Sequence, residues 1–209
     1  MKKLLSLAVL AATWTACAQG TFEAIQSYVY DVSGSVTATA GWTFQTTTPL
    51  SATSLGCFAD VFVNNTTVNA IQVGLWAPDG SLLASNTVTP SSTLFDQTRY
   101  VSITPVLLNP GQLYHVGIFY GGGTLGLDIP GSSIGGSVSP APEIQLGGTA
   151  VSSSGFAFPA EVPGTSGSIY AGPNFRYQNG VPEPSAWLLL GLGGVLLAAR
   201  LRSRCLLLR

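Results

Sequence analysis

The amino-acid sequence predicts an all-β fold, an antiparallel β-sandwich of the jelly-roll type, with one helix at each end of the chain. Between Tyr28 and Tyr120, short β-prone runs are separated by turn residues at intervals of about 8 to 15 residues. Helical periodicity is absent from this region. Charged residues make up only 8% of the chain, while Thr, Ser and Gly are abundant, a composition typical of extracellular β proteins.

The N-terminal 18 residues have the pattern of a secretory signal peptide. Met1, Lys2 and Lys3 form a positive start, and residues 4–12 form an apolar run of nine positions interrupted only by a serine. Ala16 and Ala18 supply the small-x-small pattern that signal peptidase recognises. The sequence therefore predicts export, with cleavage after residue 18.

Two other interpretations of this N-terminus are weaker. Nine apolar residues are far fewer than the roughly 20 that a membrane-spanning helix needs, which disfavours a permanent anchor. Cys17 would have to be the modified residue of a lipoprotein, but Trp14 stands where such a site requires an aliphatic residue. We therefore expect the β domain to begin at residue 19 and to extend to residue 180.

The charge of this domain excludes some classes of partner. Six of the eight basic residues lie in the two ends of the chain, so that residues 19–180 keep only Arg99 and Arg176 and carry a net charge of −6. Nucleic acids and anionic polysaccharides both need a basic face on the protein that binds them. The sequence predicts neither as a partner.

The strands are predicted from alternation and from turn chemistry. In chain order, the predicted strand features are Trp42 to Phe44, the alternating row Leu55, Cys57, Ala59, Val61 and Val63, the row Ile71, Val73, Leu75 and Ala77, the turn 78–80 (Pro-Asp-Gly) with a returning strand 81–88, the run 99–104, the turn 109–112, and the run 113–120. Residues 121–168, rich in Gly, Ser and Pro, are expected to form long loops with short strands. Residues 169–178 supply a closing strand.

Cys57 is the only cysteine of the predicted domain, because Cys17 leaves with the signal peptide and Cys205 lies in the C-terminal tail. An intramolecular disulfide is therefore not expected in the domain, and its stability must come from burial. Cys57 lies in an apolar row with no basic residue nearby in sequence, which predicts a buried small hydrophobe rather than a reactive thiol.

Several motifs resemble catalytic or cofactor sites only in spacing. Gly121, Gly123 and Gly126 match a dinucleotide loop, and residues 131–135 match a nucleophile elbow, but neither is followed by a sequence able to form the required helix. His115 is the sole histidine and has no second ligand at metal-binding spacing. The acidic residues are solitary, and no calcium-loop pattern occurs. The sequence therefore predicts a protein without enzymatic activity, cofactor or metal.

Trp76 is the candidate glycan contact. Alternation places it opposite Ile71, Val73 and Leu75, on the face that Gln72 and Gly74 share. An indole on a polar face can stack on a sugar ring, which indicates a carbohydrate-binding module as an alternative function. The same indole also fits a second hydrophobic layer against the sandwich.

The C-terminal segment 181–209 is read as a sorting signal. Val181, Pro182, Glu183 and Pro184 precede the apolar run 186–199, and Arg200, Arg202 and Arg204 follow it. Fourteen apolar residues in a helix extend about 21 Å, less than a hydrocarbon core of about 30 Å, which predicts a marginal transmembrane helix. The arginines place the C-terminus in the cytoplasm and the β domain outside it. A permanent tail anchor is the alternative interpretation.

This C-terminal segment resembles the PEP-CTERM sorting signal of Gram-negative bacteria in the order of its proline motif, apolar helix and arginines. The resemblance implies recognition by an exosortase-like membrane protease or transpeptidase, removal of the helix, and release or display at the cell surface of bacteria that form exopolysaccharide or biofilm. Residues 205–209 depart from the family, whose members usually end at the basic cluster.

The middle of the chain resembles DUF4082, a β-sandwich domain without an established activity. The segments that carry this resemblance are 41–44, 55–58, 73–76, 80–84, 100–101, 113–114 and 172–175. The expected function is thus that of an exported surface or matrix protein with a structural or interaction role. Its expected partners are the exosortase, transiently the inner membrane and, in the alternative function, an exopolysaccharide.

Overall fold

The computed structural model of the chain describes residues 20–29, 33–64, 67–122, 125–128, 137–165, 169–170 and 172–180. These residues form antiparallel β-strands and one short helix, α1 (Asp60–Asn64). The strands are β1 (Phe22–Glu23), β2 (Ile25–Val29), β3 (Ser33–Val36), β4 (Ala40–Thr46), β5 (Leu50–Phe58), β6 (Ile71–Trp76), β7 (Leu82–Val88), β8 (Thr93–Phe95), β9 (Thr98–Leu108), β10 (Tyr114–Phe119), β11 (Leu125–Asp128), β12 (Ser137–Pro140), β13 (Ile144–Val151), β14 (Ala160–Glu161) and β15 (Pro173–Asn179).

Two sheets make up most of the described structure. The five-stranded sheet has the order β1-β15-β5-β9-β8, and the six-stranded sheet has the order β14-β13-β4-β10-β6-β7. Two smaller pairs, β11 with β3 and β12 with β2, lie beside them. Adjacent strands within all of these sheets are antiparallel, which confirms the predicted all-β, sandwich-like class.

The core lies between the two sheets. Trp42 and Phe44 project from β4 of the six-stranded sheet, and Phe175 projects from β15 of the five-stranded sheet. Their ring centroids are 6.1 Å apart for Trp42 and Phe175 and 4.8 Å apart for Phe44 and Phe175. All three side chains are fully buried, so aromatic contacts join the two sheets at their centre.

The predicted hairpin between β6 and β7 is confirmed together with its turn. Gly80 has a φ of +85°, a conformation that glycine adopts without strain. The amide of Ala77 donates to the carbonyl of Ser81 at 2.9 Å, and the carboxylate of Asp79 accepts from the amide of Ser81 at 2.9 Å. Pro-Asp-Gly thus closes the chain reversal as the sequence predicts.

The alternating strand predicted through Ala59, Val61 and Val63 is wrong beyond β5. The strand ends at Phe58, and the chain turns into α1, where the amide of Phe62 donates to the carbonyl of Ala59 at 3.1 Å. Val61 and Phe62 are buried while Val63 is 72% exposed. Three successive apolar residues with two inside and one outside fit a helical turn, whereas alternation would have buried Val63 with Val61.

Residues 121–168 contain a longer strand than the sequence predicts. β13 is eight residues long and pairs with β4 inside the six-stranded sheet. Its alternation is interrupted at Gly147 and Gly148, where the register shifts between Leu146 and Thr149. A β-carbon at Gly147 would collide with the hydroxyl of Thr43, so the glycine that hides the strand in the sequence is required by the close approach of β4.

Within the described part of the chain, no helix is long and apolar enough to cross a membrane. The predicted signal peptide 1–18 and the predicted transmembrane helix 186–199 lie outside the described residues.

Candidate functional site

Trp76 is not the open platform that a glycan contact requires. The structure places it on the outer face of β6, as alternation predicts, but its side chain is only 3% exposed. A segment of residues 155–161, called here the covering segment, lies over this face, and Phe156 packs on the indole with ring centroids 5.3 Å apart. The indole rests on Gly74, where a β-carbon would collide with it. Trp76 therefore belongs to a second hydrophobic layer.

His115 lies beside Trp76 in register and under the same covering segment. Its Nδ1 is 2.7 Å from the carbonyl oxygen of Pro159, and its ring packs on Phe158 with centroids 4.5 Å apart. Because a carbonyl oxygen only accepts, Nδ1 carries the proton. Burial lowers the pKa of His115, although the Pro159 carbonyl and the charge of Glu161 oppose this shift. The histidine is a structural contact between the sheet and the covering segment.

His115 is expected to make the protein less stable as the pH falls. Its pKa is lower in the folded than in the unfolded chain, where it lies near 6.5. The unfolded chain therefore binds the proton first, and stability that is fully present above this value is lost as the pH falls below it. Urea unfolding of the wild type and of His115→Asn at pH 7.5 and pH 5.5 tests this.

The asparagine amide retains a donor for the Pro159 carbonyl but does not titrate. We expect the unfolding midpoint of the wild type to fall more between the two pH values than that of His115→Asn. An equal pH dependence of the two proteins would contradict the role given to His115. Other titrating groups are common to both proteins and cancel in the comparison.

Cys57 is a free cysteine and is fully buried, which confirms the prediction of a small core residue. Burial raises the pKa of its thiol, and the nearby charge of Asp60 raises it further. The thiolate that nucleophilic chemistry needs is thus disfavoured. Over the described ranges, no three His, Cys, Asp or Glu side chains are grouped so that they could hold a metal ion.

A cluster of polar and aromatic side chains lies on the outer face of the five-stranded sheet. It consists of Glu23, Phe95, Tyr100 and Arg176 and is called here the arginine cluster. The guanidinium carbon of Arg176 lies 4.2 Å from the ring centroid of Phe95 and 5.7 Å from that of Tyr100. Phe95 remains 44% exposed. The cluster therefore presents a cation close to two aromatic rings, of which the Phe95 ring is exposed and the Tyr100 ring is buried.

Hydrogen-bond partners are missing for part of this cation. The Nε of Arg176 is buried and has no hydrogen-bond partner among the described residues. A buried donor without a partner costs free energy, and such groups are few in native structures. The Arg176 side chain is thus held mainly by ring contacts, and its buried Nε is out of reach of another molecule.

Glu23 completes the cluster with a carboxylate. The hydroxyl of Tyr100 donates to the Glu23 carboxylate at 2.7 Å. The tyrosine ring lies over Gly56, where a β-carbon would be only 2.5 Å from it. Burial raises the pKa of Glu23, and Asp96 adds to the rise, while the Tyr100 hydrogen bond and the charge of Arg176 oppose it. Burial and the hydrogen bond to Glu23 raise the pKa of Tyr100 as well. The pair acts as an acceptor and an anchored donor, with neither group free to serve as a nucleophile.

The arginine cluster is continuous in register with a groove at the side of the sandwich. Glu23 pairs with Arg176, Arg176 with Ser54, and Ser54 with Ser102, so that these four residues follow one another across four strands. Ser102 also lines a groove of about 480 Å³ between β7 and β9. Asn86 bridges the two strands there by donating to the carbonyl of Ser102 at 3.0 Å. The groove-lining residues are uncharged.

Sequence reasoning missed the arginine cluster. Phe95 and Arg176 are far apart in the chain, and neither belongs to a recognisable motif. One signal was present, because Arg176 is one of only two basic residues between 19 and 180. The predicted sorting residues Val181 to Pro184, the arginines 200, 202 and 204, and the cleavage residues Ala16 and Ala18 lie outside the described residues.

No protein-family model matches this chain, and a search of curated proteins finds no significant match.

Proposed function

We propose that this chain is an exported, non-enzymatic protein that is delivered to the bacterial cell surface or extracellular matrix and has a structural or interaction role there. The observation that carries the proposal is the pair of targeting patterns at opposite ends of one β domain, the signal peptide 1–18 and the sorting signal 181–209. Before processing, the chain is held in the inner membrane with its C-terminus in the cytoplasm. An exosortase-like enzyme then acts on it near Pro182–Pro184.

The chemistry of the described side chains supports a role without catalysis. Three groups that can serve as a base or a nucleophile are engaged in structural contacts: His115 with Pro159, Tyr100 with Glu23, and Tyr177 with Glu143 at 2.7 Å. A general base needs an accessible lone pair near its substrate. These groups stabilise the sandwich instead.

We also propose that the topology is of the jelly-roll type. Successive strands alternate between the two sheets: β4 belongs to the six-stranded sheet, β5 to the five-stranded one and β6 again to the six-stranded one. The same alternation recurs from β7 to β9 to β10. Such crossing between two sheets is characteristic of jelly rolls.

Processing of the C-terminal segment is expected to depend on its proline motif. In the exported wild-type protein, mass spectrometry should detect no intact peptide that spans Trp187 to Arg204. Pro184 keeps the motif out of the apolar helix that follows it, because proline is not accommodated in a helix interior. Pro184→Ala alters the motif and removes this restriction. We therefore expect the unprocessed chain to accumulate several-fold in the membrane fraction.

Ser203→Ala serves as the matched control, since it changes a small residue within the basic end and leaves the proline motif intact. It should be processed like the wild type. The proposal would be wrong if the exported protein retained residues 187–204, or if Pro184→Ala were released as efficiently as Ser203→Ala.

A second candidate function is that of a carbohydrate-binding module acting in an exopolysaccharide or biofilm matrix. Trp76 does not support it, because the covering segment buries the indole. The observation that favours it is the exposed ring of Phe95 beside Arg176, which combines an apolar surface with hydrogen-bond donors.

A further inference from the structure

We propose that the arginine cluster binds a neutral polysaccharide chain, which lies across the five-stranded sheet from Glu23 toward the groove between β7 and β9. This inference rests on the proposed export of the protein, since such polymers lie outside the cell. It names a ligand class and a binding face that the two targeting patterns do not specify.

The cluster contains the three kinds of group that recognise a sugar. The exposed ring of Phe95 offers an apolar surface to the C–H face of a pyranose. The guanidinium of Arg176 offers its terminal N–H groups as donors to hydroxyl oxygens, and its central carbon lies over the Phe95 ring, 4.2 Å from the centroid. The Glu23 carboxylate, ordered by Tyr100 at 2.7 Å, accepts from hydroxyl groups. A hydroxyl donates and accepts at once, so adjacent donors and acceptors match it.

The register of the sheet favours a chain over a single sugar. Glu23, Arg176, Ser54 and Ser102 are aligned across four strands, and neighbouring strands are about 4.8 Å apart, so the row extends about 14 Å. Ser54 and Ser102 add hydroxyl groups along this row. At its end, the uncharged groove gives a further length of polymer a place to lie.

Charge selects a neutral polymer over an acidic one. Arg176 is accompanied in the cluster by Glu23, and Asp96 is close enough to raise the pKa of Glu23. Residues 19–180 carry a net charge of −6 in total. A polyanion would therefore be repelled by the domain as it approached the only cation of the cluster.

Affinity electrophoresis of the full chain in native gels tests the inference. The protein is kept in a detergent without a sugar headgroup, and the gels contain hydroxyethylcellulose, galactomannan, dextran or, as the anionic comparison, polygalacturonate. We expect retardation by at least one of the three neutral polymers. Phe95→Ala and Arg176→Ala should each weaken that binding by about ten-fold or more, which corresponds to about 1.4 kcal/mol.

Two variants match these in chemistry but lie off the binding face. Phe22→Ala removes a phenyl ring of nearly equal exposure, 43%, whose position next to Glu23 in β1 puts it on the opposite face. Arg99→Ala removes the other basic residue of the domain, whose side chain donates to the carbonyl of Ser92 at 3.0 Å. Both should bind like the wild type, and thermal unfolding of all four variants checks that they fold.

Arg176→Lys adds a readout of geometry, because it keeps the charge but loses the planar fork that stacks on Phe95. We expect it to bind nearly as weakly as Arg176→Ala. The inference is overturned if none of the three neutral polymers retards the folded wild type, or if polygalacturonate alone does. It is also overturned if Phe95→Ala and Arg176→Ala bind as well as their matched controls.

Failure of this inference is distinguishable from failure of the proposed function. Mass spectrometry of the exported protein reports on the C-terminal segment independently of any glycan. A processed protein that binds no neutral polymer keeps the sorting role and loses the binding face. An unprocessed protein whose binding depends on Phe95 keeps the binding face and loses the sorting role.

Discussion

Trp42→Ala is expected to lower the free energy of unfolding by about 3–5 kcal/mol, the range for removing a large aromatic side chain from a core. Trp42 is fully buried and contacts Phe44 at 5.3 Å and Phe175 at 6.1 Å between ring centroids. Its indole Nε1 also donates to the carbonyl of Pro173 at 2.9 Å. The alanine variant therefore loses contacts between the two sheets and leaves a buried carbonyl without its donor.

Urea unfolding of the full chain, followed by far-ultraviolet circular dichroism, measures this loss. In a domain of this length, the same loss lowers the thermal midpoint by roughly 10 °C. Trp42→Phe separates the two causes, because it keeps most of the ring contacts and removes only the N–H donor and part of the volume. We expect it to cost roughly 1–2 kcal/mol.

Leu107→Ala is the surface control, since Leu107 is 60% exposed on β9. It should change the free energy of unfolding by no more than about 0.5 kcal/mol. If Trp42→Ala were as stable as Leu107→Ala, then Trp42 would not lie at the centre of the core.

The strand that carries Trp42 and Phe44 could be predicted because its information is local. Alternation in β4 places Trp42 and Phe44 on one face, and the turn residues before β7 set the hairpin. The same local information fails where the chain departs from regular pairing. Val63 continues an apolar alternation in sequence, yet α1 turns it outward, and the glycines of β13 conceal a strand that β4 requires.

The candidate site could not be predicted because its contacts are not local. Alternation correctly assigned Trp76 to the outer face of β6, but it does not reveal that Phe156 covers that face. Likewise, Arg176 is brought to Phe95 only by three successive strand pairings, of β15 with β5, β5 with β9 and β9 with β8. Side chains meet across a sheet through register, and register depends on the whole topology.

Asn174→Ala is expected to lower the free energy of unfolding by about 2–5 kcal/mol, because the buried amide and the buried carbonyl of Ile25 both lose their Asn174 partner. Asn174 is fully buried in β15. Its Oδ1 accepts from the amide of Ile25 at 3.0 Å, and its Nδ2 donates to the carbonyl of Ile25 at 3.0 Å. Ile25 is the first residue of β2, where the chain leaves the five-stranded sheet. The Asn174 side chain thus takes the place of the strand pairing that ends with β1.

Asn86→Ala is the matched control, since Asn86 also donates to a strand carbonyl at 3.0 Å but is exposed to water. Water replaces its bond, and the expected cost is about 1 kcal/mol or less. Urea unfolding at pH 7 compares the two variants. Equal losses would show that the Asn174 bonds matter no more than a surface bond.

Asn174→Asp tests the donor by itself, because the two side chains have nearly the same shape. At pH 7 the carboxylate still accepts from the Ile25 amide, but it faces the Ile25 carbonyl without a proton to donate. Burial and this contact raise the pKa of the introduced carboxyl, so the folded chain binds its proton before the unfolded chain does. The difference in stability from wild type should therefore shrink as the pH falls below about 5, when a protonated carboxyl again donates to Ile25. A difference that stayed constant or grew on acidification would assign the loss to packing instead of the hydrogen bond.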